Sequence, residues 1–201
     1  MKIELLIASS NKGKVHEIRD LFGGSSIRFR SLIDFPHVTE IPETGSNFEE
    51  NAVLKARGYA LQTGLRSLAD DSGLEIAALG NAPGVLSARY GGDDINFGQK
   101  MFLLLGEMER AIVKRRDARF VCAMALADGA GNILTTSTGI CEGIIAEAPR
   151  GTGGFGYDSM FVPAGYEKTF GELPDGIKRQ ISHRAHASRI IIRYLLDFIA
   201  V

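Results

Sequence analysis

Two adjacent carboxylates and a hydroxyl interrupt an otherwise apolar stretch, Leu68-Ala69-Asp70-Asp71-Ser72-Gly73-Leu74. The leucines around them predict a buried strand that ends at the acidic pair. Burial of a carboxylate is costly, so such a pair persists only where cations, hydrogen-bond donors or a metal ion face it. A solvent-exposed turn in which Asp is the turn former is the alternative interpretation of this stretch.

A small polar loop near the start of the chain has the chemistry of an anion site. Ser9-Ser10-Asn11-Lys12-Gly13-Lys14 follows an apolar run predicted to be a strand and precedes a helical pattern that begins at Val15. Backbone N–H groups and the helix dipole at such a junction favour a phosphate, and the two lysines add positive charge. The Walker A spacing is absent, so the loop is not a P-loop, and an ordinary turn with a Ser cap remains the alternative.

A third polar group belongs to a predicted helix that runs from Asn47 to Thr63 and ends at Gly64. Asn51 and Lys55 are four residues apart, so they share one face of this helix. A solvated stripe is the usual meaning of such a pair. Here the helix directly precedes the strand that carries Asp70 and Asp71.

A glycine-rich loop further along combines flexible backbone with aromatic side chains. Gly151-Thr152-Gly153-Gly154-Phe155-Gly156-Tyr157-Asp158 formally matches GxGxxG, but Pro163 and Gly165 follow too soon for the helix that a dinucleotide site requires. Such a loop suits a flat ligand, with one face on which to stack and backbone groups close to its edges. A flexible surface loop is the alternative.

The last cationic group precedes the C-terminal helical pattern. Lys178, His183 and Arg184 offer donors suited to a phosphate or to the carbonyl of a nucleobase. His183 and His186 are spaced as two metal ligands could be, but no third ligand motif accompanies them.

Composition limits the classes of protein to which the chain can belong. The 201 residues, 45% of them hydrophobic, can bury one substantial core, and we expect a single domain over residues 1–201. A net charge of −1 provides no global field that would attract nucleic acid or an anionic membrane.

Cys122 and Cys141 lie in apolar runs, which predicts buried thiols in a reducing compartment. Without an apolar span of about 18 residues, a cytoplasmic protein is expected.

Taken together, the polar groups complement one another chemically. Cationic groups beside carboxylates indicate a phosphorylated substrate bound as its Mg²⁺ complex, because carboxylates alone would repel it. The glycine-rich aromatic loop provides a place for a nucleobase. A nucleotide is therefore the ligand class that these residues predict.

At this level of detail the chain resembles the Ham1-like nucleoside triphosphate pyrophosphatases, also called inosine triphosphate pyrophosphatases or XTP/dITP diphosphatases. The resemblance runs nearly end to end, through ASSNKGKVHEI (8–18), ETGSNFEENAVLKA (43–56), LADDSGLEI (68–76), PGVLSARY (83–90), ARFVCA (118–123), GFGYDSMF (154–161) and SHRAHA (182–187). It implies an α/β fold of the Maf/Ham1-like type, with an elongated mixed β-sheet flanked by helices and two lobes around a central cleft. It also implies a homodimer that uses Mg²⁺ to hydrolyse ITP, dITP and XTP to the monophosphate and pyrophosphate.

The resemblance also implies a role for each matching position. Asp71 corresponds to the catalytic carboxylate that binds metal and activates water, with Glu43 and Asp70 as supporting acids around the ion. The implied substrate contacts are Ser9, Ser10, Asn11, Lys12, Gly13, Lys14 and Lys55 for phosphate, Ser72, and Phe155, Gly156, Tyr157, Asp158, Lys178, His183 and Arg184 for the base.

Two other functions are compatible with these residues. A nucleotide hydrolase with another base preference would share the acids and the phosphate loop, and a panel of triphosphates would distinguish it. A nucleotide-binding sensor would bind its ligand tightly without releasing pyrophosphate.

The cationic residues also predict which bases are accepted. The 6-oxo group of a purine would accept hydrogen bonds from Lys178 or Arg184, whereas the 6-amino group of adenine would leave those donors unpaired.

Overall fold

The computed structural model describes residues 3–23 and 27–198 and shows strands and helices alternating along most of the chain. The strands are β1 (Ile3–Ile7), β2 (Ile27–Ser31), β3 (Arg66–Ile76), β4 (Asp117–Ala127), β5 (Ile133–Ile145) and β6 (Phe161–Pro163). The helices are α1 (Lys12–Leu21), α2 (Phe48–Thr63), α3 (Phe97–Arg110), α4 (Asp175–Ile181) and α5 (His183–Phe198). The predicted mixed α/β fold is confirmed.

All six strands named above belong to one sheet, in the order β2-β1-β3-β4-β5-β6. β1 pairs in parallel with both β2 and β3, and β5 pairs antiparallel with β6. A parallel strand buried by helices reads as a continuous apolar run, which is the pattern of Leu5, Leu6 and Ile7 in β1. β3 therefore lies inside the sheet, between β1 and β4, and not at its edge.

Helix boundaries follow from side chains that cap the first turn. Asn47 accepts a hydrogen bond from the backbone N–H of Glu50, and Asn96 accepts one from Gln99. α2 and α3 therefore begin at Phe48 and Phe97, directly after their capping asparagines. At the other end of α2, Gly64 adopts the left-handed conformation with φ of 68°, as its predicted role as a helix stop requires.

The structure corrects two predictions about the elements. The acidic pair does not end a strand, because β3 continues through Asp70 and Asp71 to Ile76. A separate helix, α4, precedes α5 over residues for which no helix was predicted. α4 has too few residues for its apolar side chains to show a helical periodicity in the sequence.

The chain divides into two compact units. The first comprises Met1–Asp71, Cys122–Gly139 and His183–Val201, and the second comprises Ser72–Val121 and Ile140–Ser182. Each has its own apolar cluster: the first includes Leu5, Ile18, Leu68, Met124 and Ile191, and the second includes Leu74, Leu104, Phe120, Phe161 and Phe170.

The two cysteines lie in these cores as buried free thiols, as predicted. Burial raises the pKa of each to about 12. Within residues 3–23 and 27–198, no helix combines the length and the hydrophobicity needed to cross a bilayer.

Candidate active site

The acidic pair of β3 is divided between two environments. Successive side chains of a strand point to opposite faces of its sheet, so neighbouring acids meet different partners. The side chain of Asp70 is 0% exposed and contacts Lys14 and Arg184. That of Asp71 is 8% exposed and contacts Asn51 and Lys55. The two carboxylates therefore form two distinct polar groups in the first unit.

Helix α2 supplies the partners of Asp71. The Nδ2 of Asn51 donates to Asp71 Oδ2 at 3.0 Å, and one turn later Lys55 Nζ lies 3.3 Å from Asp71 Oδ1. The same Nζ lies 2.5 Å from Oε1 of Glu43. Two carboxylates thus converge on one ammonium group, and the i, i+4 spacing of Asn51 and Lys55 predicted from sequence places both on the face toward β3.

Asp71, Asn51, Lys55 and Glu43 form one group, called here the Asp71 group, in which burial and the neighbouring charges shift the pKa values in opposing directions. Burial raises the pKa of Asp71, and although Lys55 and Lys14 act against that effect, the pKa remains above its usual range. Burial also works against the charge of Lys55, but Asp71, Asp70 and Glu43 outweigh it and raise the pKa of that ammonium. Lys55 is therefore firmly protonated, while Asp71 accepts a proton more readily than an exposed aspartate does.

Asp70 belongs to a second group, in which its carboxylate faces two cationic side chains. Lys14 Nζ lies 3.1 Å from Asp70 Oδ2, and Arg184 donates to the same oxygen through Nε and Nη2. Arg184 also forms an ion pair with Glu17. Although burial opposes its charge, Lys14 and Arg184 hold the pKa of Asp70 well below its usual range. The thiol of Cys122 lies 3.9 Å from the same oxygen.

The predicted phosphate loop connects β1 to α1. Asn11, and not a serine, caps the helix, because its Oδ1 accepts from the backbone N–H groups of Gly13 and Lys14. The backbone N–H of Asn11 donates in turn to Ser9 Oγ at 3.2 Å. Ser10 and Lys12 are exposed, and Lys14 reaches inward to Asp70. The loop thus brings one of its two lysines to the acids of β3.

The second unit holds a cation over an aromatic ring. Asp158 Oδ2 accepts from the backbone N–H of Phe155 at 2.7 Å and forms an ion pair with Lys178. Lys178 Nζ lies 4.7 Å from the centroid of the Phe155 ring. The predicted partners Phe155, Asp158 and Lys178 therefore do come together, and Asp158 orients the other two.

Three other residues predicted to contact the substrate are buried or half-buried. Tyr157 is buried, its hydroxyl donates to the carbonyl of Ser87 at 2.8 Å, and its ring packs edge-on against Phe97. His183 is buried at the start of α5 in the first unit. Ser72 is half-buried and belongs to the second unit. Their implied roles toward a substrate stay predictions.

Asn51 and Glu17 were not assigned a role from sequence, although both contact charged site residues. The spacing of Asn51 to Lys55 was the available signal for the first, whereas Glu17 meets Arg184 only through the packing of α1 on α5. In the described part of the chain, no three His, Cys, Asp or Glu residues are grouped as a ready-made metal site. The assignment of Glu43, Asp70 and Asp71 to one ion stays a prediction.

The chain is similar to known proteins over nearly its whole length. A match to the Ham1 family extends over residues 5–194. The dITP/XTP pyrophosphatase of Geobacillus kaustophilus is 47% identical over 92% of this chain and 90% of its own length. That of Mycobacterium tuberculosis is 44% identical over 94% of this chain and 93% of its own length.

Solved structures show the same similarity in three dimensions. A HAM1 protein from Coxiella burnetii superposes with a TM-score of 0.89 at 41% identity, covering 97% of this chain and 99% of the other. The Ham1 protein of Staphylococcus aureus gives a TM-score of 0.84 at 34% identity, covering 96% and 98%.

Proposed function

Because this chain belongs to the Ham1 family, we propose that it hydrolyses non-canonical purine nucleoside triphosphates, dITP, XTP and ITP, to the monophosphate and pyrophosphate. The names of relatives that are similar over nine-tenths of the chain support this activity. The structural observation that carries it is the convergence of Asp71 and Glu43 on the ammonium of Lys55.

The residues around Asp71 fit a Mg²⁺ ion. Mg²⁺ is usually held by one or two carboxylates together with phosphate oxygens and water, rather than by a complete protein cage. Glu43 and Asp71 both contact Lys55 Nζ, and this common contact supports their sharing one cation. When bound, Mg²⁺ would neutralise phosphate charge and acidify the attacking water.

Asp71 is the residue that we assign to proton transfer. A general base works best when its pKa lies close to the working pH, and burial moves the pKa of Asp71 in that direction. Asn51 holds one carboxylate oxygen and Lys55 lies near the other, so the group is oriented before the substrate arrives. Attack of the water at the α-phosphorus would then release pyrophosphate.

The lysines of the first unit are assigned to the developing negative charge. Lys12 is exposed at the start of α1, where the backbone N–H groups also attract anions. Half-buried Lys14 is held in place by Asp70, and buried Lys55 by Glu43 and Asp71. Cations fixed in advance stabilise a leaving pyrophosphate without reorganisation during the reaction.

Recognition of the base is assigned to Phe155 and Lys178. A ring supports stacking, and an ammonium fixed by Asp158 can donate to a 6-oxo group but not to the 6-amino group of adenine. Arg184 contacts Asp70 and Glu17 in this structure, and its implied contact with the base stays a prediction.

A panel of substrates tests the proposal directly. The protein is incubated with ITP, XTP, dITP, GTP and ATP in the presence of Mg²⁺, and both the monophosphate and pyrophosphate are measured. We expect equal amounts of the two products from the first three nucleotides and little from ATP. Release of inorganic phosphate in place of pyrophosphate, or binding without turnover, would overturn the proposal.

A homodimer and a cytoplasmic location are further parts of this proposal. Both derive from the family resemblance, and the two buried free thiols are compatible with a reducing compartment. Light scattering coupled to gel filtration measures the oligomeric state. A monomer at micromolar concentration would exclude a stable dimer.

A further inference from the structure

Asn51 is a buried amide that connects two parts of the Asp71 group. Its side chain donates through Nδ2 to Asp71 Oδ2 at 3.0 Å and accepts through Oδ1 from the backbone N–H of Gly45 at 2.8 Å. The residue is 1% exposed, so water does not replace either partner. Gly45 lies two positions after Glu43, the other acid that contacts Lys55.

The two hydrogen bonds allow only one orientation of this amide. A backbone N–H can only donate and an ionised carboxylate can only accept, so a reversed amide would lose both bonds. Asn51 therefore fixes the position of the Asp71 carboxylate relative to the backbone that carries Glu43.

The backbone at residue 45 is shaped for this contact. A Cβ at Gly45 would lie 2.6 Å from Glu50 Cβ, 2.7 Å from Asn51 Oδ1 and 2.9 Å from the Asn51 backbone nitrogen. All three distances are too short for a carbon atom, so any side chain at 45 would push the segment away from α2. The absence of a side chain at this position allows the backbone to approach the amide.

We propose that Asn51 is a positioning residue, whose amide holds the Asp71 carboxylate and the Glu43-bearing segment at the separation that one divalent cation requires. The inference rests on the proposed function, because it assigns the cation to Glu43 and Asp71. It adds a residue that touches neither cation nor substrate and acts through the two acids. Partners of this kind commonly change metal affinity or activity by about 10–100-fold.

The first test is Asn51→Leu, which keeps a similar volume and removes both hydrogen bonds. We expect kcat for ITP to fall about 10–100-fold with KM nearly unchanged, because substrate contacts are intact while the acids are misplaced. A readout independent of turnover is the affinity for Mn²⁺, measured by electron paramagnetic resonance with a non-hydrolysable inosine triphosphate analogue present. We expect that affinity to fall by a similar factor.

The control is Gly64→Ala, at the other end of α2. Gly64 has φ of 68°, and a Cβ added there would meet nothing within 4 Å beyond the adjoining backbone, so this change strains the backbone without touching the acids. It should lower the urea midpoint and leave both kcat and Mn²⁺ affinity unchanged. A loss that merely reflects a weaker helix would appear in both variants.

Gly45→Ala tests the same contact from its other side and decides the matter if Asn51→Leu does not fold. It should reproduce the loss of kcat and of Mn²⁺ affinity, and the double variant should lose little more than either single one, since both break one interaction. Wild-type kcat and Mn²⁺ affinity in these variants would overturn the inference. Failure of the wild-type protein to release pyrophosphate would instead overturn the proposed function.

Discussion

At the scale of single residues, Asp70 and Asp71 have the same side chain, but their pKa values are shifted in opposite directions. The cations Lys14 and Arg184 lower the pKa of Asp70 against its complete burial, whereas burial dominates at Asp71 and raises its pKa. The fold therefore stabilises the charge of one carboxylate and disfavours that of the other. An asymmetry of this kind is typical of a structural acid beside a catalytic one.

Replacing Asp71 by Asn should separate activity from stability. We expect turnover to fall by at least ~10²-fold, the lower end for a lost acid–base group. The free energy of unfolding at pH 7 should not fall, because a carboxyl with a raised folded-state pKa destabilises the fold when it is ionised. Steady-state kinetics and urea unfolding measure the two quantities, and Asp197→Asn, at an exposed aspartate on α5, is the control. Near-normal turnover would remove Asp71 from the mechanism.

Replacing Asp70 by Asn should have the opposite effect on stability. Lys14 and Arg184 would lose their shared counter-charge, and breaking a buried ion pair from one side costs about 3–5 kcal/mol. Because the folded-state pKa of Asp70 is lowered, its contribution is complete above the ordinary Asp pKa of about 4 and decreases below it. Urea midpoints of wild type and variant should therefore differ at pH 7 and converge as the pH falls below about 4. A constant difference across that range would contradict the ion-pair explanation.

At the scale of elements, short backbone segments position the side chains that do chemistry. β3 presents its two acids to opposite faces, α2 presents Asn51 and Lys55 one turn apart, and the loop of residues 151–158 bends Phe155 toward Asp158. The bend depends on Gly154, which has φ of 70° and whose Cβ would overlap Asp158 Oδ2 and lie 2.8 Å from Asp158 Cγ. No other residue type fits there without moving Asp158.

Gly154→Ala should therefore impair recognition more than folding. We expect kcat/KM for ITP to fall by up to about 10²-fold, because displaced Asp158 no longer orients Lys178 and Phe155, and a misplacement near 1 Å has an effect of that size. The matched control is Gly165→Ala, where φ is 83° but no atom beyond the adjoining backbone lies within 4 Å of the added carbon. It should cost about 1–2 kcal/mol of stability through backbone strain alone and leave kcat/KM unchanged. Equal kinetic losses in both variants would show that strain, not Asp158, is responsible.

At the scale of the whole molecule, the protein has two compact units with separate apolar cores, and the acids of the proposed metal site belong to the first. The charges of Glu43 and Asp71 are balanced by Lys55, and the charge of neighbouring Asp70 is balanced by Lys14 and Arg184. We therefore expect the fold of that unit not to depend on a bound cation, in contrast to small proteins that fold around a structural metal.

Removal of divalent cations should consequently abolish activity and leave folding intact. Treatment with EDTA is expected to stop pyrophosphate release from ITP while the thermal unfolding midpoint measured without nucleotide stays the same. Added Mg²⁺ should restore turnover. Activity that persists in EDTA, or a midpoint that falls on chelation, would contradict the proposed division between structural and catalytic charges.

The sequence alone predicted β1, α1, α2, β3 and the C-terminal helix together with the candidate residues, because apolar periodicity, glycine stops and polar caps act over a few neighbouring residues. It also indicated that Asn51 and Lys55 share a face, since helix geometry is fixed by the backbone. The family resemblance assigned Asp71 to catalysis and Glu43 to the metal ion, roles that no local pattern could provide.

Only the tertiary structure decided which carboxylate meets which cation. Strand alternation separates Asp70 from Asp71, but the partners come from positions far apart in the chain: Lys14 and Arg184 for one acid, Asn51 and Lys55 for the other. Burial, and with it the direction of each pKa shift, depends on how strands and helices pack. Electrostatic environment is a property of that packing, and no run of neighbouring residues encodes it.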